Sequence, residues 1–175
     1  LERSKRDASH PLVLAGGSAV FINPEPLADC VDAFFIGEGE GLAEPFFKLF
    51  REKEYHDKRE FLKIAARIPG IYVPQFYHQE YLGDNMVRFK ADPEVFERVE
   101  RHWVKEGSPD LCTHSVLHDE VSTFKDMSLM EVTRGCIWAC RFCTAGFIYR
   151  PPRLPDLKLT YNSLERVLAE QGKTV

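Results

Sequence analysis

Three of the five cysteines, Cys136, Cys140 and Cys143, fall in one short stretch at C-x3-C-x2-C spacing. Thiolates are soft ligands of the kind that iron–sulfur clusters and zinc prefer. An ordinary [4Fe–4S] carrier uses four cysteines. Three leave one iron without a protein ligand, and an open coordination position is where a small molecule can be bound and activated. The spacing lets one loop wrap three corners of a cubane cluster, and Gly135 permits the backbone conformation such a loop needs. Structural zinc is the competing reading. It requires a fourth ligand, and the nearest donors are Cys112, His114 and His118, the two histidines at i, i+4 spacing. Zinc leaves unexplained the aromatic Phe142 between the last two cysteines and the apolar run before the motif. Cys30 and Cys112 stand alone and read as small, buried or half-buried side chains.

Bulk composition narrows the setting. The chain has 175 residues, 44% hydrophobic and 29% charged, ordinary for a soluble globular protein. Its 23 basic and 27 acidic side chains argue against a dedicated nucleic-acid binder, which needs clustered Lys and Arg. No run approaches the roughly 20 apolar residues that span a bilayer, and no charged-then-apolar leader opens the sequence. No membrane partner and a cytoplasmic location are therefore expected. An odd cysteine count with three clustered is not a disulfide framework; in a reducing compartment, clustered thiols more often bind metal. The chain opens at Leu1 and reads as a fragment of a longer one.

The elements that must position the cysteines follow an α/β rhythm. Residues 11–17, PLVLAGG, read as a buried strand entering the Gly16-Gly17 turn. Asn23 and Pro24 look like a cap and first residue of a helix running through Leu27 and Ala28. Residues 32–36 form a second strand ending in the turn Gly37-Glu38-Gly39-Glu40-Gly41. Leu42, Phe46, Phe47, Leu49 and Phe50 fall at helical spacing over 42–53, and Phe61, Leu62, Ile64 and Ala65 mark a second helix. Residues 68–73 are a turn into a strand. Residues 74–125 lack a clean period and read as a linker with a few strand pairings and one short helix over 93–101. Residues 127–133 read as a strand, Arg134-Gly135 as a turn into the cysteines, and 160–171 as a helix facing inward through Tyr161, Leu164, Val167 and Leu168, stopped at Gly172.

The wording EVTRGC (131–136) followed by CRFC (140–143) resembles the radical S-adenosylmethionine enzymes. The resemblance implies that Cys136, Cys140 and Cys143 bind three irons of a [4Fe–4S] cluster and that the amino and carboxylate groups of S-adenosylmethionine chelate the fourth. Reductive cleavage would then release methionine and a 5′-deoxyadenosyl radical that attacks an unknown substrate. It also implies that Phe142 lies beside the adenine, that a flavodoxin or ferredoxin supplies electrons, and that the motif follows the first strand of a (β/α) barrel, whose chemistry sits at strand C-terminal ends. PLVLAGG (11–17), NPEPLAD (23–29), FIGEGE (35–40) and IPGIY (68–72) resemble the end of the cobalamin-binding-like domain that precedes the barrel in one large subgroup. On that likeness, Gly16, Gly17, Gly37, Glu38 and Gly39 are candidate contacts for the nucleotide tail of cobalamin.

The expected fold is therefore α/β: the C-terminal part of a doubly wound cobalamin-binding-like domain over 1–66, a linker over 67–125, and the first strand–loop–helix unit of a radical barrel over 126–175. No Asp-x-His-x-x-Gly segment is present to supply cobalt with a histidine, and His10 and His78 read as surface residues. Arg150 and Arg153 are candidates to meet a substrate phosphate or carboxylate. The glycine-rich segment that usually holds the amino group of S-adenosylmethionine is missing, so these residues alone are expected to be inactive. The alternative is a non-enzymatic zinc-binding or interaction module built on Cys112, His114 and His118.

Overall fold

Short apolar runs pair at the centre of the first half of the chain. Strand β1 (Leu14–Ala15) lies parallel to β2 (Ala33–Phe35), with Leu14 opposite Ala33 and Ala15 opposite Phe34. Strand β3 (Ile71–Tyr72) joins the other edge of β2 in antiparallel register, Phe34 opposite Tyr72. The structure, a computed structural model, describes residues 2–7, 9–52, 57–116, 121, 123–124 and 127–170. It divides into two units, Leu1–Trp103 and Val104–Val175, and the division falls inside the segment read as a linker. Both sheets are small, and the class is mixed α/β.

Alternation along β2 explains the packing of the first unit. Ala33 and Phe35 face one side and Phe34 the other. Against Ala33 pack Leu42, Phe46, Phe61, Leu62, Ile71 and Phe76, each 2% exposed or less. Helices α2 (Ala43–Glu52) and α3 (Lys58–Ala65) supply Phe46, Phe61 and Leu62 to that layer. Phe46 meets Phe35 and Phe61 edge-on at 5.0 and 5.4 Å between ring centres, the arrangement favoured by the ring quadrupole. The Asp57 carboxylate caps α3 by accepting the Arg59 N–H at 2.8 Å. On the opposite face, Phe34 and Tyr72 stack beside Val20 and Val31.

At the amino end of β2, Asp32 is buried and bridges three segments. It accepts the Val13 N–H at 2.8 Å and pairs with Arg6 and Lys58, each at 3.0 Å. Burial raises the pKa of this carboxyl, but the Val13 N–H, Arg6 and Lys58 together outweigh it and hold Asp32 below its ordinary value.

Several elements depart from the expected pattern. The sheet is mixed, not wholly parallel: β3 follows β2 through two helices, α2 and α3, and pairs with it in antiparallel register. Helix α1 (Ser18–Ile22) starts directly at the Gly17 turn, where no helix was expected. Asn23 does accept the Glu25 N–H at 3.1 Å, but it opens only a 3-10 turn over Glu25–Leu27. Residues 93–101 form turns and no helix. Cys30 is exposed, since it lies in a turn whose carbonyl, not thiol, is bound by Arg6.

Strands β4 (Tyr77–Leu82) and β5 (Asn85–Ala91) form an antiparallel hairpin joined by Gly83-Asp84. Glycine first, with φ +60°, fits the two-residue turns that match strand twist.

In the second unit, the segment expected as a barrel strand makes an antiparallel bridge, His114 opposite Met130. Ser115 N–H donates to Leu129 O and Glu131 N–H to Thr113 O, both at 2.8 Å. Lacking a parallel neighbour among the described residues, this extended backbone satisfies its polar groups with the chain upstream. Helices α4 (Ala145–Ile148) and α5 (Leu157–Glu170) follow. Val167 and Ser163 of α5 are buried, whereas Tyr161 is exposed. The expected end of that helix, Gln171 and Gly172, lies outside the described residues. Among the described residues, no helix is long and apolar enough to cross a membrane.

Candidate metal centre

The cysteine loop is closed at its base by two arginines. Arg134 N–H donates to Arg153 O at 2.9 Å, and Arg153 N–H donates back to Arg134 O at 2.7 Å. Side chains reinforce the closure. Arg134 grips the Glu131 carboxylate as a fork, Nε to Oε1 at 2.8 Å and Nη2 to Oε2 at 2.5 Å. Thr113 Oγ1 donates to the same carboxylate at 2.8 Å, tying in the neighbouring segment. Arg153 is 1% exposed and donates Nε to Pro151 O at 2.9 Å and Nη1 to Val104 O at 2.6 Å. Its guanidinium thus serves backbone carbonyls, and the candidate role of meeting a substrate anion does not suit it. Arg150 is exposed, with its guanidinium 5.4 Å above the Phe147 ring.

Gly135 begins the loop at φ +99°, and a Cβ there would lie 2.5 Å from Tyr149 O and 2.9 Å from Pro152 Cα. Only glycine accepts both that angle and that approach. Within the loop, Cys143 N–H donates to Cys140 O at 3.0 Å, closing a turn. Thr144 O then receives the Phe147 and Ile148 N–H groups as α4 starts.

All five cysteines are free. Cys136 and Cys143 are half-buried and Cys140 is exposed. Phe142 is 91% exposed, Ile137 70% and Trp138 68%, so the loop carries apolar surface around its thiols. Among the described residues, no three Cys, His, Asp or Glu side chains converge in metal-holding geometry, neither the triad nor Cys112 with His114. Cys112 Sγ lies 3.9 Å from Thr160 Oγ1. His118 lies outside the described residues.

The glycine turns of the first unit differ from one another. A Cβ on Gly16 would make ordinary contact with Phe35, and Gly17 and Gly39 have nothing within 4 Å. Gly37, at φ +126°, lies against the chain itself: a Cβ there would overlap the His102 carbonyl oxygen and lie 2.7 Å from the His102 nitrogen. His102 N–H donates to Ile36 O at 2.9 Å, and Glu38 N–H donates to His102 O at 3.1 Å. Glu38 is buried. His102 had no signal in the sequence, being a lone histidine in an irregular segment. His10 and His78 are partly exposed and sit 2.9 Å from Asp7 and Asp92.

Residues 1–74 match the family model described as Radical SAM proteins, N-terminal. An uncharacterized protein of Methanocaldococcus jannaschii is 28% identical over 172 residues, which is 98% of this chain and 30% of that protein. The chain thus spans 30% of the length of the curated relative it matches. No solved structure matches. The likeness to the N-terminal part of radical SAM proteins covers the segment that builds β1, β2 and β3, while the cysteine loop lies beyond the matched residues.

Proposed function

We propose that Cys136, Cys140 and Cys143 hold the [4Fe–4S] cluster of a radical S-adenosylmethionine enzyme acting on a substrate still to be identified. The observation that carries this reading is the donor set: three free thiols, two half-buried and one exposed, at C-x3-C-x2-C on a loop closed by the Arg134–Arg153 pair. Three soft thiolates fit such a cluster and leave one iron open. When bound, the cluster would supply the electron for reductive cleavage of S-adenosylmethionine to methionine and a 5′-deoxyadenosyl radical.

The chain's own residues have distinct tasks. The exposed Phe142 ring offers a face for the adenine, and Ile137 and Trp138 supply apolar surface that keeps water from the thiols once covered. A flavodoxin or ferredoxin is the fitting reductant, in the cytoplasm. The second unit would then be the opening of a (β/α) barrel, and the first unit the end of a cobalamin-binding-like domain. At that domain's turns, Gly16, Gly17, Gly37, Glu38 and Gly39 are the candidate cobalamin contacts. Gly17 and Gly39 are open, but a cofactor tail fits Gly37 only if the His102 segment leaves it.

Anaerobic reconstitution of the full-length protein with iron and sulfide tests the proposal. About four irons per chain and dithionite-dependent 5′-deoxyadenosine are expected. A single stoichiometric zinc and no 5′-deoxyadenosine would replace this reading with the zinc module.

A further inference from the structure

The cysteine loop meets α4 at a glycine. A Cβ on Gly146 would lie 2.7 Å from the Trp138 carbonyl oxygen. Trp138 is the middle residue of the arc between Cys136 and Cys140. Gly146 is buried, and its φ is not positive, so the missing side chain serves this approach and not an unusual backbone angle. The obstacle is also a backbone atom, which cannot swing aside as the end of a long side chain would. At the start of the same arc, Gly135 is held against Tyr149 and Pro152. The Cys140–Cys143 part is shaped by its own hydrogen-bonded turn. The arc bearing the first two cysteines is thus pinned at both Gly135 and Trp138.

We propose that Gly146 is a positioning residue for the metal centre: its bare Cα seats the Trp138 carbonyl on α4 and thereby sets Cys136 relative to Cys140. This inference rests on the cluster reading above. Alanine at 146 forces the 137–139 arc to lift from α4, although alanine is otherwise the better helix former. Groups that orient metal ligands without touching the metal typically change metal retention by about 10- to 100-fold when altered.

The test compares wild type, Gly146→Ala and Phe147→Ala in the full-length protein, reconstituted anaerobically. Phe147 lies on the same helix and is 54% exposed. Iron loss to a chelator, the electron paramagnetic resonance spectrum of the reduced cluster, and circular dichroism with thermal unfolding of the metal-free protein are recorded. Metal-free samples are also alkylated with iodoacetamide and read residue by residue by mass spectrometry. Gly146→Ala should fold like wild type, lose iron about tenfold faster and show shifted g values, with altered labelling of Cys136 but not of Cys112. Phe147→Ala should match wild type throughout. Wild-type iron retention, g values and Cys136 labelling in Gly146→Ala would overturn the inference. So would a metal-free variant that has lost its fold, which would make Gly146 a residue of the fold alone. A wild-type protein that takes up no cluster would defeat the proposed function instead, and the Cys136 labelling would still decide the role of Gly146.

Discussion

Gly37 and His102 pair in parallel register with no room for a side chain between them. The turn after β2, which in an α/β sheet is a natural ligand position, is here filled by the chain's own backbone. Gly37→Ala would combine a forbidden approach with strain at φ +126°, and should lower stability by about 2 kcal/mol or more. His102→Ala keeps the backbone pairing and should cost about 1 kcal/mol or less. Urea unfolding of the two variants beside wild type checks the contrast.

Asp32 should make stability acid-sensitive. Its folded pKa is depressed, so its contribution is fully present above the unfolded value near about 4 and is lost as pH falls through the lower folded value. Asp32→Asn leaves Arg6 and Lys58 beside a neutral amide in a buried site, and should cost about 3 kcal/mol at neutral pH. Urea midpoints measured from neutral pH into acid should fall less steeply for this variant than for wild type.

Arg153→Met removes donors from Val104 O and Pro151 O at a buried position. A loss of about 1–3 kcal/mol is expected, read by thermal or urea unfolding. Arg150→Met, at an exposed position, should change stability by less than about 0.5 kcal/mol. Equal effects would contradict the assignment of Arg153 to the base of the loop.

Phe142 is almost wholly exposed and its ring carries no structural duty that burial would reveal. Phe142→Ala should leave unfolding and iron content unchanged and raise the KM for S-adenosylmethionine about tenfold, the scale of one lost aromatic–base stack. A full-length protein with unaltered KM would remove Phe142 from the adenine site.

Much of this was legible in residue order, for identifiable reasons. Phe46, Phe61, Leu62 and Ala65 recur at helical spacing because helices α2 and α3 bury one face each, and that face is the core. Residues 32–36 read as a strand, of which Ala33–Phe35 form β2, because apolar groups cover both of its sides. What stayed hidden depends on partners distant in sequence. The direction of β3 shows only in its pairing with the distant β2, not in any property of Ile71 or Tyr72. The burial of Arg153 depends on Val104, and the role of Gly37 on His102; neither pairing leaves a local pattern. At the site, the spacing of Cys136, Cys140 and Cys143 was plain, whereas the Glu131–Arg134 fork and the Gly146–Trp138 contact emerge only once the loop is folded.

The most direct measurement of the central claim is an iron count on single cysteine variants of the full-length protein, reconstituted anaerobically and assayed for dithionite-dependent 5′-deoxyadenosine. Cys136→Ser, Cys140→Ser and Cys143→Ser should each lose the cluster and all product, while Cys30→Ser and Cys112→Ser keep both. Full iron and product in any of the first three, or loss of both in Cys112→Ser, would contradict the three-thiolate centre.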